Sequence, residues 1–392
     1  MHNDTHETQI KPRIAIVIPK YGLVGGSERF VYELTERLAN TGRYEFHVYA
    51  HRWQSENPSI HFHKIPFLRF PRFLRALWLP WFMKKVFEKE KYDIIHSHEK
   101  IYKADIISLH GFPHERWVKN VRKKRFSLFD LSAISVERSM IEHGSHTTFL
   151  PVSSIALEEY QKAYTQLNGS WHVMHPGVDV QRFSSVDRQE CRRGLRSQYG
   201  IVDSDILILF VGMNFEVKGL DICIQSIARV RQINPDIPIK LLVVGRGDRK
   251  SYSTMAQALG VGDAVLFAGE QEVGIEQYYN ASDIFMLLSA HDTFGMVVLE
   301  AMAASLPVII SAHVGAKDIV EEWKTGFIIT NRNNVDDIVQ RIIELSDKII
   351  RTSYAEKTVR AAIQYDWDCL ANRTEELYQK YITKRMEVYY DN

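Results

Sequence analysis

The chain has 392 residues, enough for two domains of ordinary size; 45% hydrophobic and 25% charged content excludes a disordered or fibrous protein. A net charge of +1 gives no global attraction to nucleic acid, so any basic surface must be local. The three cysteines, Cys191, Cys223 and Cys369, lie far apart without Cys-x-x-Cys spacing, which excludes a disulfide framework or structural zinc and fits a reducing compartment.

Residues 1–13 are polar and lack the apolar core of a signal peptide. The longest greasy stretch, 76–83, is too short to span a bilayer. The expectation is a cytoplasmic protein without a transmembrane helix. Residues 13–19 (RIAIVIP) are short, apolar and β-branched, which predicts a buried parallel strand. A loop ending in Gly25-Gly26 follows. Ser27 then starts a helix with Phe30, Val31, Leu34 and Leu38 on one face, stopped by Gly42. Residues 44–50 are the next strand. This strand–glycine loop–helix–strand unit is the first piece of a doubly wound sheet. Further strands are predicted at 93–97, 105–110, 148–152 and 172–175. Pro176-Gly177 punctuates the chain, and 178–205 reads as a link with a short polar helix.

A second series begins at residue 206 (ILILFVG), with a helix over 220–233 and strands at 239–244, 265–268, 284–288, 307–310 and 327–329. The tail 367–386 is a helix with Leu370, Leu377, Tyr378 and Tyr381 as its apolar stripe. The fold class is therefore α/β: two Rossmann-like, doubly wound parallel-sheet domains facing across a cleft. The domains are read as residues 1–178 and 179–366, with 367–392 packing back on the first.

Ligands of open α/β sheets bind beyond the carboxyl ends of the strands, so chemistry is sought there. The run from His291 to Glu300 (HDTFGMVVLE) leads from a strand into a helix. The backbone N–H groups of Thr293, Phe294, Gly295, Met296 and Val297 are an anion site by position. Asp292 precedes the helix and could hold vicinal sugar hydroxyls, or simply cap it. Glu300 sits among Val297, Val298, Leu299, Ala301 and Met302, a costly place for a carboxylate unless something uses it. Gly25-Gly26 lets backbone approach a phosphate or forms a plain turn. Lys218, at a loop-to-helix junction, is a diphosphate candidate or a solvated lysine. His110 ends a strand and is followed by Gly111; His96, His98, His172 and His175 rank below it.

Two segments interleave bases with large aromatics. The first, 64–91, holds Phe67, Phe70, Phe73, Trp78 and Trp81 among Arg69, Arg72 and Arg75. The second, 116–140, holds Trp117, Phe126 and Phe129 with Arg122, Lys123, Lys124 and Arg125. This is the composition of an interfacial membrane surface, or of amphipathic helices on a sheet. No Asp-x-Asp metal motif stands at a strand end. Asp236 and Asp336-Asp337 read as loop or helix-start residues.

From residue 14 to about 381 these motifs resemble the retaining GT-B glycosyltransferases of the family 4 type, which use nucleotide sugars. The resemblance rests on Asp292 and Glu300 with seven residues between them around Phe294-Gly295, on Gly25-Gly26, His110-Gly111 and HPGVD (175–179), and on KGLD (218–221). It implies Glu300 on the nucleotide ribose, Asp292 on the transferred sugar, and the N–H groups of 293–297 with Lys218 on the diphosphate. It also implies Val273 and its loop at the base, His110 at the reacting sugar and Gly25-Gly26 beneath the phosphates. The first acid is Asp where the family has Glu. The Arg that many members carry before the Lys is absent, with Arg246 a possible substitute. The spacing 212–218, the run 242–261 and the basic-aromatic segment after His110 are most similar to lipopolysaccharide-core heptose glucosyltransferases. The resemblance thus implies transfer of a hexose, glucose from a UDP-sugar rather than a GDP-sugar, to a glycolipid or oligosaccharide acceptor. No metal or other cofactor is expected, and the N-terminal domain would take the acceptor. An anionic inner-membrane surface is the expected partner of Arg122, Lys123, Lys124 and Arg125. A sugar-nucleotide epimerase or phosphorylase of this fold, or a non-catalytic binding subunit, is the alternative.

Overall fold

The computed structural model describes residues 11–390 other than 24, 69, 72 and 272, so Arg69, Arg72 and most of the polar N-terminal stretch lie outside the described residues. The chain forms two compact units. The first holds residues up to 152, 156–174 and 367 onward; the second holds 153–155 and 175–366.

The first unit is built on a seven-stranded parallel sheet. Its strands are β1 (Arg13–Val17), β3 (Glu45–Ala50), β5 (Ile60–Lys64), β6 (Ile94–Ser97), β7 (Ile106–Leu109), β8 (Thr148–Pro151) and β9 (Ser170–Trp171), in the order β5-β3-β1-β6-β7-β8-β9. The chain winds outward from β1 to β5, then returns to β6 on the other side of β1. Strand order therefore reverses between β1 and β6, the place where this architecture binds ligands. Two short strands, β2 (Lys20–Tyr21) and β4 (Arg52–Trp53), pair apart from this sheet. The helix Gly26–Asn40 buries Phe30, Val31, Leu34 and Leu38, the face its 3.6-residue period predicts. The helix Trp367–Tyr390 belongs to this unit and buries Trp367 and Tyr378. Its Glu375 accepts from Tyr44 Oη at 3.1 Å, and its Tyr378 hydroxyl lies 2.8 Å from His96 Nδ1.

Three expectations change here. Strand β5 (IHFHK) was not foreseen, because an edge strand buries only part of each face and reads as polar. Its His63 Nε2 lies 2.9 Å from Nδ1 of His47, which also contacts Glu45 Oε1 at 2.7 Å. Second, the strand expected at 172–175 ends at Trp171; beyond it only the His172 and Met174 N–H groups still donate to Phe149 and Pro151. Third, the basic stretch after His110 is not one helix. A π-helix, Trp117–Arg122, stops at Lys123 in the left-handed region (φ 49°), and a new helix, Leu128–Glu142, starts behind a Ser127/Asp130 capping box.

The second unit holds a six-stranded parallel sheet in the order β12-β11-β10-β13-β14-β15. The strands are β10 (Ile206–Met213), β11 (Ile239–Arg246), β12 (Val265–Gly269), β13 (Ile284–Leu287), β14 (Val308–Ser311) and β15 (Gly326–Ile329). Residues 207–210 and 284–288 are completely buried, as strands covered on both faces must be. The winding again runs outward from β10 and returns to β13, so the order reverses between β10 and β13. The polar link contains two helices rather than one, Val180–Ser184 and Arg188–Gln198. Arg196 of the second is buried, with its guanidinium 2.5 Å from Asp283 Oδ2. Among the described residues no helix is long and apolar enough to cross a membrane.

Candidate functional site

Lys218, Asp292 and the turn that follows Asp292 come together at the reversal point of the second unit's sheet. Leaving β10, the chain makes a short helix, Phe215–Lys218, capped by the Asn214 side chain, then turns at Gly219 with φ 77°. A Cβ at Gly219 would lie 2.1 Å from the Leu288 carbonyl oxygen, so only glycine lets this turn pass the end of β13. The two strand ends are stitched together by the Ala290 N–H, which donates to the Val217 carbonyl at 2.9 Å.

This stitching delivers Lys218 to Asp292. The ammonium donates to Asp292 Oδ2 at 2.5 Å, with the two side chains 22% and 10% exposed. Asp292 therefore does not cap the helix. The N-cap is Gly295, left-handed at φ 83° with no side-chain cap, and the helix runs Met296–Ala303. Backbone hydrogen bonds hold the segment before it, and the Ser153 hydroxyl donates to the Thr293 carbonyl at 2.5 Å. Asp292 N–H donates to His313, Gly315 N–H to Asp292 and Ala316 N–H to Phe294, at 3.1, 3.0 and 2.7 Å. At Gly295 a Cβ would come within 2.9 Å of Val314 Cγ1. The result is a rigid turn whose first helical N–H groups lack a side-chain cap, next to a lysine already oriented by a carboxylate. An ammonium has three donors, so Lys218 can keep Asp292 while offering two to a diphosphate. Thr293 and Phe294 lie in the turn; Met296 and Val297 begin the helix.

Glu300 is 8% exposed, and its Oε2 accepts from the Tyr279 hydroxyl at 2.8 Å. That hydrogen bond offsets part of the cost of a carboxylate in an apolar run. Tyr279 was not singled out from sequence; its pairing across 21 residues carries no local signal. Arg246 ends β11 beside Met213 of β10 but is 74% exposed, 3.6 Å from Glu270. It is a solvent-screened cation rather than part of the Lys218–Asp292 pair. Val273, beyond β12, is 88% exposed.

In the first unit the glycine loop differs from expectation. Gly25 caps the helix Gly26–Asn40 at φ 150°, and the space beside its Cα is taken by Glu28, whose Oε2 would lie 2.1 Å from an added Cβ. The loop thus faces a carboxylate, a partner of the same sign as the phosphates expected over it. His110 follows β7, 3.0 Å from His98 Nδ1 and edge-on to Phe30. Burial pushes its pKa down to about 4, so the ring is neutral near pH 7.

Segments beyond β1, β3, β5 and β6 line a cavity of about 340 Å³ that the sequence did not reveal, with Phe67, Trp78 and Phe129 set among Arg75, Glu99 and Lys100. Lys100 pairs with Glu137, a buried carboxylate that also accepts from the Tyr164 hydroxyl and the His114 N–H. Desolvation raises the Glu99 pKa. Of the basic cluster, Arg122 is committed to buried Asp130, 3.0 Å away, so it does not belong to a free basic surface. Lys123, Lys124 and Arg125 are exposed, as are Leu128 and Leu131.

Comparison with known proteins identifies the family and the fold. The family described as "Glycosyl transferases group 1" matches residues 192–363, and "Glycosyltransferase Family 4" matches 24–182. The chain is 26% identical over 318 residues to D-inositol 3-phosphate glycosyltransferase of Corynebacterium urealyticum, covering 74% of this chain and 71% of that one. It is 22% identical over 383 residues to lipopolysaccharide glucosyltransferase WaaG of Escherichia coli, covering 93% and 98%. The crystal structure of WaaG superimposes with a TM-score of 0.75 at 21% identity, over 93% of this chain and 99% of that one. Anabaena HepE in complex with UDP-glucose superimposes with 0.68 at 19% identity, over 94% and 100%. The protein is a glycosyltransferase of the GT-B type, with a family 4 domain followed by a group 1 domain.

Proposed function

We propose that this enzyme is a retaining, metal-independent hexosyltransferase that moves glucose from UDP-glucose to a sugar of a lipid-linked acceptor. The observation that carries the reading is the Lys218–Asp292 pair at the reversal point of the second sheet, beside the start of the helix Met296–Ala303. A leaving diphosphate needs positive charge or aimed dipoles, and a lysine beside a helix N-terminus supplies both. Asp292 orients Lys218 and binds the hexose hydroxyls, and Glu300, steadied by Tyr279, binds the ribose. The turn 293–297 carries the diphosphate, Val273 borders the base, and His110 contacts a reacting sugar. UDP-glucose is favoured because HepE, of the same fold, binds it. Retention of configuration rests on the family resemblance.

The acceptor is assigned to the cavity of the first unit. Aromatic faces among charged groups suit a sugar, whose C–H faces stack while its hydroxyls find carboxylate and ammonium partners. A lipid-linked acceptor is favoured by the likeness to WaaG, named a lipopolysaccharide glucosyltransferase. The exposed Lys123, Lys124 and Arg125 beside Leu128 and Leu131 would bring the enzyme to an anionic, inner-leaflet membrane surface.

The test is nucleotide release from UDP- and GDP-sugars with and without acceptor glycolipids. Acceptor-dependent UDP release from UDP-glucose, unaffected by chelator and with the α-linkage kept in the product, is expected. Donor binding without any release, or release of a free sugar nucleotide of altered configuration, would sink the transferase reading in favour of a binding or epimerase role.

A further inference from the structure

In the first unit, β6 and β7 lie side by side, and each is followed at its carboxyl end by a histidine. His98 leaves β6 with its backbone N–H donating to Val17 at 2.9 Å; His110 leaves β7. Their rings lie edge to edge, centroids 5.3 Å apart and planes 20° from parallel, with His98 Nδ1 3.0 Å from His110 Nε2. Phe30 packs on both rings, and His96 packs on His98 at 4.3 Å. His98 is 6% exposed, and its Nε2 is buried with no hydrogen-bond partner among the described residues.

Burial lowers the pKa of both His98 and His110, so both rings are neutral near neutral pH and one proton lies between Nδ1 and Nε2. Two arrangements exist. If His110 donates from Nε2, the His98 proton must sit on its own Nε2, leaving a buried N–H with no acceptor. If His98 donates from Nδ1, its Nε2 is a bare lone pair, and no buried N–H is stranded there. Orphaned buried donors are the rarer and costlier defect, so the second arrangement is preferred.

We propose that His98 is a positioning residue for His110: its Nδ1–H donates to His110 Nε2, fixing the ring plane and holding the His110 proton on Nδ1. Which nitrogen of a functional histidine carries the proton is set by the hydrogen bond its other nitrogen makes. The proposal rests on the reading of His110 as a group at the reacting sugar. A histidine that must present a donor to a sugar oxygen loses efficiency when its proton shifts to the other nitrogen. His96 does not share this task, because its nitrogens are engaged by the Tyr378 and Ser108 hydroxyls at 2.8 and 2.9 Å.

The direct measurement is 15N NMR of the full-length protein with labelled histidine, assigned with His98 and His110 variants. The wild type should show His110 protonated at Nδ1, with an unprotonated, hydrogen-bonded Nε2. His98→Ala should move that proton toward Nε2 and lower kcat about tenfold to a hundredfold, the scale at which outer hydrogen-bonding partners of a functional histidine act, with UDP binding unchanged. His98→Asn, whose amide can supply the lost donor, should restore most of kcat and the Nδ1–H form. Wild-type His110 protonated at Nε2 would overturn the proposal without any variant. So would a His98→Ala enzyme with unchanged tautomer and turnover, or an Asn variant no better than Ala. A His110→Ala enzyme of normal turnover would overturn it by a different route, removing the role of His110 while the NMR result on His98 stands by itself.

Discussion

Replacing Lys218 by Met tests whether the pair with Asp292 is catalytic or only structural. The substitution keeps most of the stem and removes the ammonium, leaving an Asp292 side chain only 10% exposed without its cation. Two unit charges 4 Å apart attract by about 4 kcal/mol at an effective dielectric constant of ~20, but desolvation of both groups offsets much of this. Exposed pairs are worth ~0–1 kcal/mol, and breaking a fully buried one costs ~3–5 kcal/mol; this pair lies between, so a loss of about 2 kcal/mol in the second unit is expected. Asp292→Asn in the same chain removes the stranded charge and should recover most of that stability. Activity should behave differently. Loss of one charged donor at the leaving diphosphate should lower kcat roughly 10²–10³-fold, and the double variant should stay as slow, because a neutral amide in place of the carboxylate restores no cation. Urea unfolding followed with UDP-release kinetics on the two single variants and the double completes the cycle. The reasoning fails if Lys218→Met turns over like the wild type, or if the double variant recovers turnover along with stability.

Tyr279→Phe removes the hydroxyl that steadies Glu300 and should weaken UDP binding by about 1 kcal/mol, roughly fivefold; calorimetry showing unaltered affinity would detach Glu300 from the ribose. On acidification, His96 and His110, with pKa values pushed by burial to about 3 and about 4, stay neutral in the native chain while the unfolded chain protonates below about 6.5. Each therefore lowers unfolding free energy by ~1.4 kcal/mol per pH unit as pH falls from about 6.5 toward 4. Glu99, raised by desolvation, acts in the opposite sense only near its own titration. Urea titrations that show no loss of stability between pH 6.5 and pH 5 would contradict this burial. Reversing Lys123, Lys124 and Arg125 to Glu should abolish sedimentation with anionic vesicles, whereas Arg122→Gln should act mainly through stability, since it leaves buried Asp130 without its guanidinium. Equal vesicle binding by the triple variant would remove the membrane surface.

The sequence alone determined the two parallel sheets. Runs such as 206–212 and 284–288 are apolar on every residue because both faces are covered, and that signature is local. It also singled out Lys218, Asp292 and His110 on segments that follow strands, where ligands of a doubly wound sheet bind, and Glu300 on the helix beyond Asp292. What it could not carry was partnership. Lys218 meets Asp292 across 74 residues only because β10 and β13 are neighbours, a fact of strand order and not of pattern. That contact changes the reading of the shorter acid: Asp292 does not cap the helix but pairs with the lysine. The edge strand β5 and the cavity lined by Glu99 and Lys100 were equally illegible, each set by packing between distant segments, and the pairing of Arg122 with Asp130 depends on the left-handed break at Lys123 between two helices. Burial periodicity is written residue by residue along the chain. The pairing of charges at a site is written by which strands lie side by side, and only the folded sheet decides that.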